Sequence, residues 1–215
     1  MADTLTQLIT KVQALLGDTT GTFFTTSIVT AGIRQALSEW NLRAPVHAAV
    51  TIVGIANQYE YELTDEDANS CEILDVLEQG ENNNELDISI GYDQYIEDER
   101  VFFRLRSPTT ETLIVRYTVY HTINGLDSSV ESTLLARDDQ AMVDGGAFYS
   151  IMIRATARIE AVNVSGDLPD DYKQIAELYK ISFDARLNNA ARSRKAAVGE
   201  PDTRAWNDQY HTWEQ

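Results

Sequence analysis

The sequence predicts an α+β protein: helices from the two ends of the chain form a bundle, an antiparallel β module is inserted between its halves, and an extended C-terminal tail follows. Apolar residues recur at helical spacing in the first 45 residues and again after residue 135. Between these stretches, apolar and polar residues alternate in short segments, as in half-buried strands. Because runs of one element type are separated by a run of the other, this order favours α+β over an alternating α/β fold.

Residues 1–45 are predicted to form a helical hairpin. The apolar residues of its first helix share one helical face and are Leu5, Leu8, Ile9, Val12, Leu15 and Leu16. Asp3 or Thr4 can accept a hydrogen bond from a free amide at the start of this helix. Gly17 can adopt the left-handed conformation that closes a helix C-terminus, so we expect the helix to end there.

The second helix of the hairpin is predicted to begin near Thr26 or Ser27. Its buried residues again share one face and are Ile28, Val29, Ile33, Ala36, Leu37 and Trp40. Gly32 lies on the same face and has no side chain. Because a lone glycine inside a helix costs about 1 kcal/mol relative to alanine, its presence indicates a close helix crossing.

Residues 46–123 are predicted to form the β module. Strands are expected where β-branched and aromatic residues alternate with polar ones, at 48–55, 59–63, 71–77, 86–90, 101–105 and 112–122. The connections are polar and acidic, and one of them is predicted at 91–100. Hairpin-like connections of this kind predict a mostly antiparallel arrangement.

Residues 124–195 are predicted to return to helices of the bundle. The adjacent Gly145 and Gly146 indicate a tight crossing or a kink, and Pro169 suits the first turn of the last helix. The apolar residues of that last helix are Tyr172, Ile175, Ala176, Tyr179, Phe183 and Leu187. Three of the four residues at 192–195 are basic, which suits the negative end of the helix dipole.

Residues 196–215 are predicted to form a tail, because their composition is polar and includes glycine and proline. The tail carries Trp206, Tyr210 and Trp213, whose spacings of four and three would align them on one face of a helix. Aromatic side chains of this kind anchor interfaces. Two interpretations stay open: the tail binds a partner, or it folds back onto the core of its own chain.

The charge of the chain limits its partners. The net charge is −17, from 34 acidic and 17 basic residues, which argues against binding to duplex DNA or to anionic membranes. Between residues 56 and 100 there are fifteen acidic residues and one basic residue.

A single cysteine, Cys71, excludes an intramolecular disulfide. No apolar run approaches the roughly 20 residues that span a bilayer, and the first residues do not resemble a signal peptide, so we expect a soluble protein made in a cytoplasm.

The sequence contains no catalytic or metal-binding signature. Its three histidines are scattered, and the phosphate loop, the dinucleotide fingerprint and the serine nucleophile elbow are absent. The acids at 65–67 lack the residue order of a calcium loop, which favours a solvated acidic rim over a cation site. We therefore expect no cofactor, no metal and no enzymatic activity.

The opening residues LTQLITKVQALLGD, followed by FFTTSIVTAGIRQALSEW, resemble the start of the head-to-tail connector (adaptor) proteins of tailed bacteriophages. In that family a first helix is followed by a phenylalanine and by a second helix that ends in an aromatic residue, here Trp40. QYEYEL and CEILDVL are similar to the family's tyrosine-rich strand and the strand after it, and DDQAMVDGGAFYSIMIRATARI resembles a later helix. The chain departs from the family where Thr64 follows Leu63, since a proline usually comes soon after the tyrosine-rich strand.

The resemblance implies a structural virion protein at the head–tail interface, assembled in the host cytoplasm. Such a protein forms a ring, dodecameric in the family, beneath the portal protein, extends the DNA channel without sequence-specific binding and docks tail or nozzle proteins. An acidic surface suits that channel, because it repels DNA phosphates. We expect the tail to anchor on the portal through Trp206, Tyr210 and Trp213, aided by the basic residues Arg192, Arg194 and Lys195.

Two other classes of function stay open. The β module could be a binding domain of a tail or baseplate component that contacts a receptor or glycan. Tyr92, Tyr95 and Tyr120 would then stack on sugars, although packing between strands is the commoner role of such tyrosines. A hydrolase that uses paired carboxylates is the third class, and nothing in the sequence selects two of the fifteen acids for it.

Overall fold

The computed structural model describes residues 2–63, 72–79, 88–97, 100–162 and 170–198, without the side chains of 157–162, 170–172 and 194–198. Within these residues, helices lie towards both ends of the chain and strands lie between them. The order is α1 (Leu5–Leu15), α2 (Thr26–Arg43), β1 (Val46–Val53), β2 (Glu60–Glu62), β3 (Ile73–Glu78), β4 (Ile88–Ser89), β5 (Tyr92–Glu97), β6 (Arg100–Leu105), β7 (Thr112–Val119), α3 (Asp139–Val162) and α4 (Asp170–Val198). The predicted α+β class is confirmed.

The chain divides into two compact units. The first, called here the helical unit, consists of Met1–Ala44 and His121–Gln215, and the second, the β unit, of Pro45–Tyr120. Each unit has its own cluster of buried apolar side chains. Cys71, Pro169 and the tail residues after Val198 lie outside the described residues.

The start and end of α1 follow from local chemistry. Thr4 accepts a hydrogen bond from the Gln7 amide, and the Gln7 side chain accepts one from the Thr4 amide, which together form a capping box. Gly17 has a φ of +70°, the left-handed conformation that the sequence predicted after this helix. Leu8 and Val12 are buried on the predicted face.

Glycines let α2 and α3 cross closely. A Cβ atom at Gly32 would lie 2.7 Å from the Gly146 carbonyl oxygen and 2.5 Å from the Ser150 hydroxyl oxygen. A Cβ at Gly146 would lie 2.9 Å from Ile33 Cγ1, and one at Gly145 would lie 2.8 Å from Ala36 Cβ. α3 continues through the glycine pair, and these short distances show that the pair lies at a tight crossing with α2.

The β unit contains two antiparallel sheets, with strand orders β1-β7-β3-β4 and β2-β6-β5. The longest pairing joins β1 and β7, from Val46 opposite Val119 to Val53 opposite Thr112. β7 carries Leu113, Val115 and Tyr117 into the core of this unit, as its alternation predicted. In the second sheet, the predicted core residues Val101, Phe103 and Leu105 of β6 are also buried.

The predicted acidic connection at 91–100 was wrong. Residues Tyr92–Glu97 form β5, which pairs with β6. The ring of Tyr95 stacks on Phe102 of β6 with centroids 5.3 Å apart, and the Tyr92 hydroxyl donates a hydrogen bond to the Ile73 carbonyl at 2.9 Å. Cross-strand contacts of this kind stabilise a sheet, and β5 is an edge strand, where acidic side chains are tolerated.

Candidate interaction surfaces

One face of α4 packs into the helical unit. Ala176, Phe183 and Leu187 on this face are at most 4% exposed. The ring of Phe183 lies 6.3 Å from the ring of Trp40. A Cβ atom at Gly145 would come within 2.9 Å of the Phe183 ring, so the missing side chain at this position makes room for the contact.

A half-buried charged group holds α4 against α2 and α3. The Lys180 ammonium lies 2.9 and 3.0 Å from the two carboxylate oxygens of Glu39 in α2, and 3.1 Å from Asp184. The Tyr149 hydroxyl in α3 donates a hydrogen bond to Glu39. Burial raises the pKa of Tyr149, and the bond to Glu39 raises it further. Burial opposes ionisation of Glu39, but the hydrogen bonds from Tyr149 and Lys180 outweigh it and lower its pKa.

A second carboxylate fixes the rotation of α4. Asp144 of α3 is only 5% exposed. It accepts hydrogen bonds from Ser182 at 2.6 Å, from Gln140 at 2.8 Å and from Arg186 at 3.2 Å. Because Ser182 and Arg186 lie one turn apart on α4, the two bonds determine which face of the helix points away from the unit.

The outward face of α4 carries an apolar stripe that we call the α4 stripe: Leu178, Ile181 and Ala185. Leu178 is 64% exposed and Ile181 65% exposed. At about 100° per residue, these three residues centre on the side opposite Phe183. Ile175, predicted for the buried face, is 42% exposed at the edge of the stripe. The sequence prediction missed this second stripe, although its spacing of three and four was visible.

The predicted portal-binding residues fall in two places. Arg192 is an exposed residue near the C-terminal end of α4, and Arg194 and Lys195 belong to the same helix. α4 continues to Val198, so the tail that was predicted to begin at residue 196 overlaps the helix by three residues. Trp206, Tyr210 and Trp213 lie outside the described residues. The anchoring role of all six residues stays a prediction.

The three tyrosines predicted as a sugar platform are not equivalent. Tyr92 and Tyr95 are half-buried in β5, and the Tyr95 ring stacks on Phe102. A hydrogen bond to the Glu60 carboxylate raises the pKa of Tyr95 to about 12. Tyr120 is 44% exposed. Two of the three side chains are therefore engaged in packing between strands.

Charge is unevenly divided between the two units. The β unit contains 16 acidic and 4 basic residues, and the helical unit contains 18 acidic and 13 basic residues. The β unit thus holds most of the net charge of −17 in about a third of the chain.

Among the described residues, no group of three or more histidine, cysteine, aspartate or glutamate side chains could hold a metal ion. No helix in the same residues is long and apolar enough to cross a membrane.

Comparisons with known proteins give weak structural neighbours. No protein-family model and no curated protein matches the sequence. One similar solved structure is the neck of an empty gene transfer agent particle computed with C6 symmetry, at 12% identity and a TM-score of 0.30, over 80% of this chain and 87% of that chain. Another is the virion of a native gene transfer agent particle, at 11% identity and a TM-score of 0.26, over 72% of this chain and 77% of that chain. TM-scores at this level do not establish a shared fold.

Proposed function

We propose that this protein is a structural head-to-tail adaptor that forms a ring beneath a phage portal protein. The ring extends the DNA channel and offers a docking platform for tail proteins, and the C-terminal tail anchors each copy to the portal. The order of helices and strands, together with the adaptor-like segments that begin LTQLITKVQALLGD, motivates the proposal.

The observation that carries the proposal is the unequal division of charge between the two units. The β unit has a net charge of −12, whereas the helical unit has a net charge of −5 over nearly twice as many residues. A concentrated negative surface repels DNA phosphates, which suits the wall of a channel through which DNA slides. A nearly balanced helical unit can pack beside further copies at a smaller electrostatic cost.

Contacts within the helical unit also fix the position of α4, the helix that leads to the C-terminal tail. The Glu39 and Asp144 networks hold α4 on α2 and α3 through Lys180, Ser182 and Arg186. The basic residues near the C-terminal end of α4 suit an acidic site on a portal. Spaced aromatics beyond it suit insertion into a groove.

Mass photometry of the full chain, alone and mixed with the portal protein from the same genome, tests the proposal. We expect a discrete multimer to appear on the portal. The triple variant W206S/Y210S/W213S should lose portal binding, and the double variant V53S/I96S, which replaces exposed apolar residues of the β unit, should keep it. Absence of any association at all concentrations would contradict the adaptor proposal. Unchanged binding by the triple variant would contradict only the part of the proposal in which the tail anchors on the portal.

A further inference from the structure

The α4 stripe has no cover among the described residues. Leu178 and Ile181 are each exposed by nearly two thirds, although the rest of the helix is held firmly on its other side. Neighbouring exposed aliphatic side chains on one helix face are typical of a surface that another segment covers.

We propose that in the free protein the C-terminal segment 199–215 of the same chain covers the α4 stripe. This inference concerns the free protein and does not depend on the portal proposal. The segment offers three large aromatic residues, Trp206, Tyr210 and Trp213. If it adopts a helical conformation, spacings of four and three place all three on one face.

The spacing of the aromatics mirrors the spacing of the stripe. Read backwards along α4, the stripe runs from Ala185 to Ile181 and then to Leu178, at steps of four and three. A helix lying antiparallel to α4 would therefore place Trp206 at the small Ala185, and Tyr210 and Trp213 at the two aliphatic side chains. A large side chain opposite a small one suits close packing of two helices.

The length of the chain beyond α4 permits this alignment. Ala185 lies thirteen residues before Val198, or about 20 Å along the helix axis at 1.5 Å per residue. Two packed helices are separated by about 8–10 Å, so the chain must cover about 22 Å. The eight residues from Val198 to Trp206 can span up to about 26–28 Å.

Charge also favours a contact between segment 199–215 and α4. Residues 185–198 contain four basic residues and no acidic residue, whereas residues 199–215 contain four acidic residues and one basic residue. A returning segment would carry Glu200 and Asp202 alongside the basic end of α4. Opposite charges at this range attract, and the attraction weakens with salt.

This contact would compete with anchoring on a partner. The aromatics cannot lie on α4 and in a second protein at the same time, so a partner must bind them more tightly than the stripe does. Release of the segment would expose the stripe only where the partner is present. Assembly would then wait for the partner.

Acrylamide quenching of tryptophan fluorescence in the full-length protein tests the contact. Trp40 is fully buried, so the accessible signal comes from Trp206 and Trp213. We expect these two to be shielded in the wild-type protein relative to a synthetic peptide of residues 199–215. L178S/I181S should raise the quenching constant by about twofold or more, towards that of the peptide. Because both replaced side chains are exposed, we expect the variant to remain folded, and far-UV circular dichroism checks this.

The matched control is V53S/I96S, whose replaced residues are 68% and 66% exposed but lie in the β unit. This variant should quench like the wild-type protein. Sedimentation velocity should show a monomer while the tryptophans are shielded. Peptide-like quenching of the wild-type protein, no effect of L178S/I181S, or shielding seen only in a dimer would each overturn the inference. If the tryptophans are accessible and the protein still assembles on the portal, the inference fails and the adaptor proposal stands.

Discussion

Replacement of Gly32 by alanine should destabilise the helical unit, although alanine is the better helix former. A Cβ at this position would lie 2.7 Å from the Gly146 carbonyl oxygen and 2.9 Å from the Ser150 amide nitrogen. Ordinary contacts begin near 3.5 Å, so α2 and α3 would have to separate by about 0.8 Å at the crossing. Overpacking costs about 1–3 kcal/mol. Because backbone atoms cannot rotate away as a side chain can, we expect a steric cost of about 2–3 kcal/mol for this substitution. Alanine recovers about 1 kcal/mol in helix propensity, which leaves a net loss of about 1–2 kcal/mol.

Urea unfolding followed by circular dichroism at 222 nm measures this loss, because the long helices belong to the helical unit. Ser38 is an exposed residue of the same helix, and the pair S38G and S38A measures the propensity difference between glycine and alanine without a crossing helix. We expect S38A to be more stable than S38G, and G32A to be less stable than the wild-type protein. If G32A gains as much stability as the Ser38 pair predicts, the close crossing is refuted.

Four further substitutions test the contacts that hold the helical unit. F183A should cost about 3–5 kcal/mol in the same urea experiment, because it empties a fully buried site. K180M should cost about 1–3 kcal/mol, because it leaves Glu39 half-buried without its closest cation. Since the folded-state pKa of Glu39 is lowered from 4.5, its ionised form stabilises the fold above that value, and the stabilisation is lost as pH falls through the lowered pKa. The stability difference between E39Q and the wild-type protein should therefore shrink below about pH 4. The Asp18 carboxylate accepts a hydrogen bond from the Phe24 amide at 2.6 Å, which is the main cause of its lowered pKa. D18N should lower the melting temperature at pH 7, and this effect should shrink as the pH falls below the ordinary aspartate value of 3.8; an effect that stays the same as the pH falls would contradict the role of the charge.

Local patterns in the sequence determined the type and order of most elements. The capping residues at Thr4, the left-handed Gly17 and the buried face of α2 depend on neighbours within a few residues, so they are readable without the fold. The alternation of buried and less buried residues in β7 also follows from the order of neighbouring residues. The uneven charge of the chain also follows from composition alone.

Contacts between distant residues decided the rest. Three of the six residues of β5 are acidic or amide residues. Its pairing with β6, the stacking of Tyr95 on Phe102 and the hydrogen bond from Tyr92 to Ile73 hold this stretch as a strand. The α4 helix has apolar residues on two faces, and periodicity cannot say which face is buried. The hydrogen bonds of Asp144 and Glu39 settle that choice, because they bind one side of α4 to α3 and α2 and turn Leu178 and Ile181 outward.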